Sequence, residues 1–221
     1  WTSENELRVE PQPYQSTPYY IESDWSAASY WYLITALSKD AEITLPGLFK
    51  RSYQGDSKVA DFFPLLGTHT SYKENNVILS KPNLIDISQA THINCDFTNQ
   101  PDLAQTLVVA CALQNTTFHF SGLQSLKIKE TDRIAALIQE MRKLGYVLYE
   151  KDGSTLYWNG ERCERSHEAI DTYDDHRMAM AFAPLAVKFG EVRIDDPAVV
   201  SKSYPEYWTH LKDFGFDLTE V

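Results

Sequence analysis

Lys129-Glu130-Thr131-Asp132-Arg133 is followed by Ile134, Leu137, Ile138, Met141 and Leu144, and the run stops at Leu144-Gly145. The apolar positions fall at i, i+3, i+4 and i+7, the stripe of an amphipathic helix. Arg142 and Lys143 place cations in its last turn, and Gly145 supplies the stop. The start carries four charges in five residues. Asp132 reads as a cap, but Lys129 and Arg133 stand at the end where the helix dipole disfavours cations. Two cations beside free backbone N–H groups can receive a phosphate or a carboxylate. The same cluster can equally be an ordinary solvated helix start.

This helix is one element of a unit that recurs. Each unit has an acidic residue, a very apolar helix, a short strand, an amphipathic helix closed by an apolar residue and Gly, and then a hairpin. The first copy places Asp24 before a helix over 26–37, a strand Glu42-Ile43-Thr44-Leu45, a helix from about Asp56 to Leu66-Gly67, and a hairpin turning at Asn75-Asn76. The second places Asp102 before a helix over 103–113, a strand over 117–120, the helix ending at Gly145, and a hairpin at Asp152-Gly153. The third places Asp175 before a helix over 178–187, a strand Val192-Arg193-Ile194, and a helix from about Pro205 to Phe214-Gly215. The closing glycines 67, 145 and 215 recur at similar intervals, as an internal triplication requires.

The first helix of each copy is apolar around most of its circumference, so it must be buried on all sides. Three such helices predict an α/β (α+β) domain of three βαβαββ units, about 23–80, 81–160 and 161–221, helices inside and sheets outside. Residues 1–22 read as a lead-in of strand and loop: Leu7-Arg8-Val9-Glu10 alternates, and prolines 11, 13 and 18 interrupt the stretch after it. Pro184 should kink the third buried helix or displace its start. The chain opens on Trp1 rather than Met, which reads as a fragment of something longer.

The 221 residues are 43% hydrophobic with a net charge of -11. That balance suits a globular domain and argues against general binding to nucleic acid or anionic membranes. No apolar run approaches membrane-spanning length. Cys95, Cys111 and Cys163 are an odd count without metal-ligand spacing, and read as reduced thiols of a cytoplasmic protein, Cys111 as core. The six histidines show no ligand spacing.

If the three helix pairs converge, Lys129, Arg133, Arg177 and Lys202 gather at one end with Asp102 and Glu130. Each has a plainer reading: Asp102 as an N-cap, Arg177 paired with Asp174 or Asp175, Lys202 as a solvated lysine. Together they make an anion site with two candidate acid/base carboxylates. The residues alone carry the reading as far as a polyanionic metabolite and a moved proton.

At these positions the sequence resembles a family. Residues 126–133 resemble its Lys-Glu-Thr/Ser-Asp-Arg motif, and 173–180 its Asp-His-Arg-x-Ala-Met motif. Residues 22–30 are similar to its Glu-Gly-Asp-x-Ser-Ser-Ala run, and Gln54-Gly55-Asp56 and residues 201–205 also match, in order. The family is EPSP synthase (3-phosphoshikimate 1-carboxyvinyltransferase), of the enolpyruvyl transferases.

The resemblance implies transfer of the enolpyruvyl group of phosphoenolpyruvate to the 5-hydroxyl of shikimate 3-phosphate, with release of phosphate and no metal or organic cofactor. This is the shikimate-pathway step of aromatic amino-acid biosynthesis that glyphosate inhibits. It implies that Asp102 accepts the hydroxyl proton, and that Glu130 and Lys202 share proton transfers at the methylene. Arg133, Arg177 and Lys202 would grip phosphoenolpyruvate, and Lys129 and Ser125 would lie on the shikimate phosphate side. Ser125 stands where some members have Asn, and Ser23 where Gly is usual. Family members have two such domains and act as monomers. Residues 1–22 would then be the tail of the other domain and 23–221 the C-terminal domain, inactive alone. The sister enzyme acting on UDP-N-acetylglucosamine and a non-catalytic anion-binding domain are the alternatives.

Overall fold

A computed structural model describes residues 1–81 and 91–220. In chain order these hold α1 (Trp25–Leu37), β1 (Glu42–Pro46), α2 (Val59–Phe62), β2 (His69–Lys73), β3 (Asn76–Ser80), β4 (His92–Asp96), α3 (Ala104–Leu113), β5 (Thr117–Ser121), α4 (Arg133–Lys143), β6 (Tyr149–Lys151), β7 (Thr155–Trp158), α5 (His176–Phe182), α6 (Ala186–Phe189) and α7 (Tyr207–Phe214).

The three apolar helices are the core. All of α3 is buried, as are Trp25 and 28–36 of α1 and six residues of α5. The three pack on one another, and Ser29 Oγ meets Thr106 Oγ1 at 3.1 Å where α1 crosses α3. Apolar side chains on every face leave a helix no side it can turn to water, so the sheets and amphipathic helices wrap around this trio. One sheet has strand order β1-β3-β2, the other β4-β5-β7-β6. Their inner faces alternate: Val77 and Leu79 of β3, Phe118 and Phe120 of β5, and Leu156 and Trp158 of β7 point into the core. Cys111 lies in that core, as expected.

The three expected closing glycines end their segments alike. At each closing glycine, Gly67, Gly145 and Gly215, φ is positive (82°, 90°, 112°). Each time the glycine N–H donates three residues back, and the next N–H donates five back: Thr68 to Phe63, Tyr146 to Met141 and Phe216 to Leu211. That is one Schellman ending used three times, and it turns three chain segments the same way.

Only the second unit is complete among the described residues; residues 82–90, at its expected start, lie outside them. In that unit β4 pairs in parallel with β5, and β6 and β7 form the hairpin. Asp152 and Gly153 both have positive φ, as expected of the turn. Among the described residues the first unit lacks an equivalent of β4. Leu7–Glu10 forms no strand, because alternation without a partner cannot hold one, and those side chains are exposed. The first hairpin turns at Glu74-Asn75, one position earlier than expected, since Asn76 pairs with Lys73. The expected helix over 56–66 is three short pieces, 3₁₀ over Gly55–Lys58, then α2, then 3₁₀ over Phe63–Leu66, where Pro64 withholds an amide. In the third unit Val192–Ile194 makes no strand, only a parallel bridge from Ile194 to Ile170, and among the described residues no hairpin lies beside it to extend a ladder. Pro184 does break the buried helix, into α5, a 3₁₀ turn over Ala183–Leu185 and α6.

Candidate functional site

Arg133 opens α4, and its side chain is only 1% exposed. Its cap is the one the sequence suggested: Asp132 accepts from Ala135 N at 3.0 Å. The guanidinium is enclosed by three carboxylates from three places in the chain. Nε and Nη2 donate to the two oxygens of Asp175 at 2.6 and 3.2 Å, Nη1 to Asp102 at 2.9 Å, and Nη2 to Glu130 at 2.6 Å. A buried guanidinium persists only when so paired, and its planar fork suits several carboxylates at once.

Three more cations close around these acids. Lys129 Nζ lies 3.4 Å from Asp102 Oδ1, Arg177 Nη2 lies 3.0 Å from Asp102 Oδ2, and Lys202 Nζ lies 2.7 Å from Glu130 Oε1. Four cations thus gather around these three carboxylates, in a chain of net charge -11.

Three plainer readings of these residues fall here. Asp24 and Asp175 cap α1 and α5, each accepting from the amide two residues on. Asp102 does not cap: α3 follows a 3₁₀ turn over Pro101–Leu103, which leaves the Asp102 carboxylate free to face Lys129, Arg133 and Arg177. Arg177 reaches across to Asp102 rather than pairing with Asp174, and only its backbone N–H meets Asp175. Lys202, although 58% exposed, is tied to Glu130. Ser125 sits one turn before Lys129 in the 3₁₀ segment Gln124–Ile128, and its side chain makes no hydrogen bond among the described residues.

The electrostatics separate the acids. Burial pushes the Glu130 carboxyl upward, but the bond from Lys202 and the charge of Arg133 outweigh it and hold the group at about 2. Burial raises Asp56, whose side chain accepts from Ser26 at the start of α1 and feels Arg177 and Asp102. Burial and then the charge of Arg177 lower His176, favouring the neutral imidazole. Burial, against the charge of Arg177, pushes the Tyr30 hydroxyl up to about 12.

Asp175, His176, Asp56 and Tyr30 are the neighbours that spacing did not pick out. His176 Nδ1 is buried, has no hydrogen-bond partner among the described residues, and lies 4.0 Å from Glu130 Oε1. The available signal was adjacency: Asp175 and His176 flank Arg177, and Asp56 opens the helix equivalent to α4 in the first unit.

Comparison with known proteins gives the family and the fold. The pattern describing EPSP synthase (3-phosphoshikimate 1-carboxyvinyltransferase) matches residues 1–211. The 3-phosphoshikimate 1-carboxyvinyltransferase of Bacteroides fragilis is 55% identical over 219 residues, covering 99% of this chain and 52% of that protein. That of Aliivibrio fischeri is 36% identical over 197 residues, covering 89% and 44%. The EPSP synthase structure from Acinetobacter baumannii superposes with a TM-score of 0.62 at 19% identity, covering 88% of this chain and 46% of that one, a likeness of fold. The chain spans about half the length of the curated relatives it matches. The sequence pattern and the shared fold agree, and the chain belongs to the EPSP synthase family.

Proposed function

We propose that this chain supplies one wall of a site that transfers the enolpyruvyl group of phosphoenolpyruvate to the 5-hydroxyl of shikimate 3-phosphate, releasing phosphate. The observation that carries the reading is the convergence of Asp102, Glu130 and Asp175 on buried Arg133, with Lys129, Arg177 and Lys202 around them. Transfer to an acceptor hydroxyl needs cations for a carboxylate and two phosphates, a base for the hydroxyl, and a proton for C3 of phosphoenolpyruvate.

Asp102 takes the hydroxyl proton, and the oxygen bonds to C2. Lys202, with Glu130 ionised beside it, is the proton-bearing member of the pair, so the proton for C3 comes from that side. Phosphate leaves C2 as the C3 proton returns to the pair. Arg133 is occupied by three carboxylates, so Arg177, Lys129 and Lys202 are the better candidates to hold substrate charge. Ser125, whose hydroxyl is not engaged among the described residues, faces the shikimate phosphate.

The opposite wall comes from the rest of a longer polypeptide. Residues 1–22 lead toward it, and 23–221 form one domain of a monomeric enzyme. Supporting this, β4 lies parallel to β5 in the second unit, whereas the equivalent edge of β1 is unpaired among the described residues. A groove of about 660 Å³ opens beside that edge, lined by Trp31, Ile43, Leu45, Leu48, Tyr204 and Phe214 among others. An N-terminal strand of the same polypeptide fits that position. Three free cysteines suit a cytoplasmic setting. Among the described residues no helix is long and apolar enough to cross a membrane.

The test is phosphate release from phosphoenolpyruvate and shikimate 3-phosphate. The full-length polypeptide should turn over, and its Asp102→Asn variant should lose at least about a hundredfold in kcat. The isolated 221-residue chain should be inactive. Turnover with UDP-N-acetylglucosamine in place of the shikimate substrate, or no turnover at all, would overturn the reading.

A further inference from the structure

Arg133 is not the only grip that α4 has on the loop before α5. Seven residues on, along the same face of the helix, Glu140 is fully buried. Its Oε1 accepts from the Tyr173 hydroxyl at 2.6 Å, and its Oε2 accepts from the Asp171 amide at 3.2 Å. Lys143 Nζ lies 2.8 Å from the same Oε2 and also donates to Ala169 O at 3.0 Å. A buried carboxylate with three donors from one loop and its own helix is a fixed anchor, because moving any donor leaves the charge unsatisfied.

What it anchors is a backbone in a costly conformation. Tyr173 and Asp174 have φ of 54° and 55°, two consecutive L-residues in the left-handed region. That conformation is disfavoured, more for Tyr173 than for Asp174, and two in succession persist where the surroundings over-determine them. The Tyr173 amide is held by Asp171 Oδ1 at 2.8 Å, and the turn closes with Asp175 N on Thr172 O at 2.8 Å. The residues it delivers are Asp175, which receives Arg133, and Arg177, which reaches Asp102.

We infer that Glu140 is a positioning residue: from inside α4 it holds the left-handed Tyr173–Asp174 turn in the form that presents Asp175 and Arg177 to the candidate site. The inference rests on the enolpyruvyl-transfer reading for its catalytic consequence and on the geometry alone for its structural one. Glu140→Gln keeps the shape but not the charge: its amide can face the Tyr173 hydroxyl, which turns to accept, and its oxygen is a weaker, neutral acceptor for the Asp171 amide and Lys143. The turn relaxes toward ordinary φ, and Arg177 shifts.

The experiment compares wild type, Glu140→Gln and the double variant Glu140→Gln/Asp174→Gly in the full-length polypeptide. Asp174 is exposed, and glycine removes the φ cost at its position. Glu140→Gln should raise the KM for phosphoenolpyruvate about tenfold and leave that for shikimate 3-phosphate within about twofold; the glycine should recover most of the loss. Amide exchange over residues 172–178 should quicken in Glu140→Gln. A fall in Tm with both KM values unchanged in the folded fraction would make Glu140 merely structural, and so overturn the inference. So would a double variant no better than the single. If the wild type itself does not turn over, the functional reading fails separately. The exchange measurement then decides, and unchanged protection at 172–178 overturns the inference.

Discussion

Arg133 Nε lies 2.6 Å from Asp175 Oδ2, and both side chains are sealed from solvent, at 1% and 0% exposure. One residue begins the amphipathic helix of the second unit and the other caps the buried helix of the third. Their ion pair therefore joins two repeats at the end of the molecule where the buried helices begin.

Removing the cation should be severe. Arg133→Met leaves Asp175 buried without its partner, while Asp102 keeps Lys129 and Arg177 and Glu130 keeps Lys202. Loss of one member of a buried pair costs about 3–5 kcal/mol. Urea unfolding of the chain should show a loss of that order. A loss under about 1 kcal/mol would mean that the carboxylates find water or protons instead.

Acid should act partly through Glu130. Its folded carboxyl lies at about 2, below the ordinary 4.5. A lowered value contributes stability that is present above the unfolded value and is lost as pH falls through the folded one. Wild type should lose stability between about pH 4.5 and 2, and Glu130→Gln should lose less across that window. Equal acid limbs in the two proteins would contradict the assignment. The site is partly open to solvent, so the difference should shrink in high salt.

Glu22 should act as a clamp on the first unit. Its Oε1 accepts from Trp25 Nε1 at 2.8 Å and Phe49 N at 2.9 Å, and its Oε2 from Ser52 Oγ at 2.7 Å and Gln54 Nε2 at 3.2 Å. Burial pushes its carboxyl up, but these donors prevail and hold it below the ordinary range. Glu22→Ala strands several donors at once and should cost about 1–3 kcal/mol in thermal or denaturant unfolding. No measurable change would show that water replaces the carboxylate freely.

The three Schellman endings predict an order. Alanine at Gly145 must adopt a φ of 90° with its Cβ 3.1 Å from Cys163 O, whereas alanine at Gly215 meets nothing within 4 Å. Gly215→Ala should cost about 1 kcal/mol, the left-handed penalty alone, and Gly145→Ala more. Equal losses would mean that the loop carrying Cys163 gives way.

The repeat was legible because each unit writes the same punctuation: an acidic residue, an all-apolar helix and a closing glycine. Asp24, Asp175 and the glycines at 67, 145 and 215 needed only local rules, and the hydrogen bonds at all three glycines are the same. Strands were less legible where pairing rather than pattern decides. Leu7–Glu10 and Val192–Ile194 have strand-like sequences and lack a ladder. The role of Glu140 was invisible, because a glutamate at that place in an amphipathic helix reads as a solvent-facing charge until the loop that covers it is placed.

Which helices must be buried, which glycines close a segment, and which cations stand at helix starts were settled in the amino-acid order. They come from side-chain periodicity and backbone capping, which act over a few residues. That Asp102 faces Lys129, Arg133 and Arg177 instead of capping α3 was settled by folding alone. So was the binding of α4, through Arg133 and Glu140, to the loop before α5. Those choices set residues tens of positions apart in competition for the same buried charge. Their outcome depends on which partners come within ion-pair distance once the chain is folded, a quantity that no local pattern encodes.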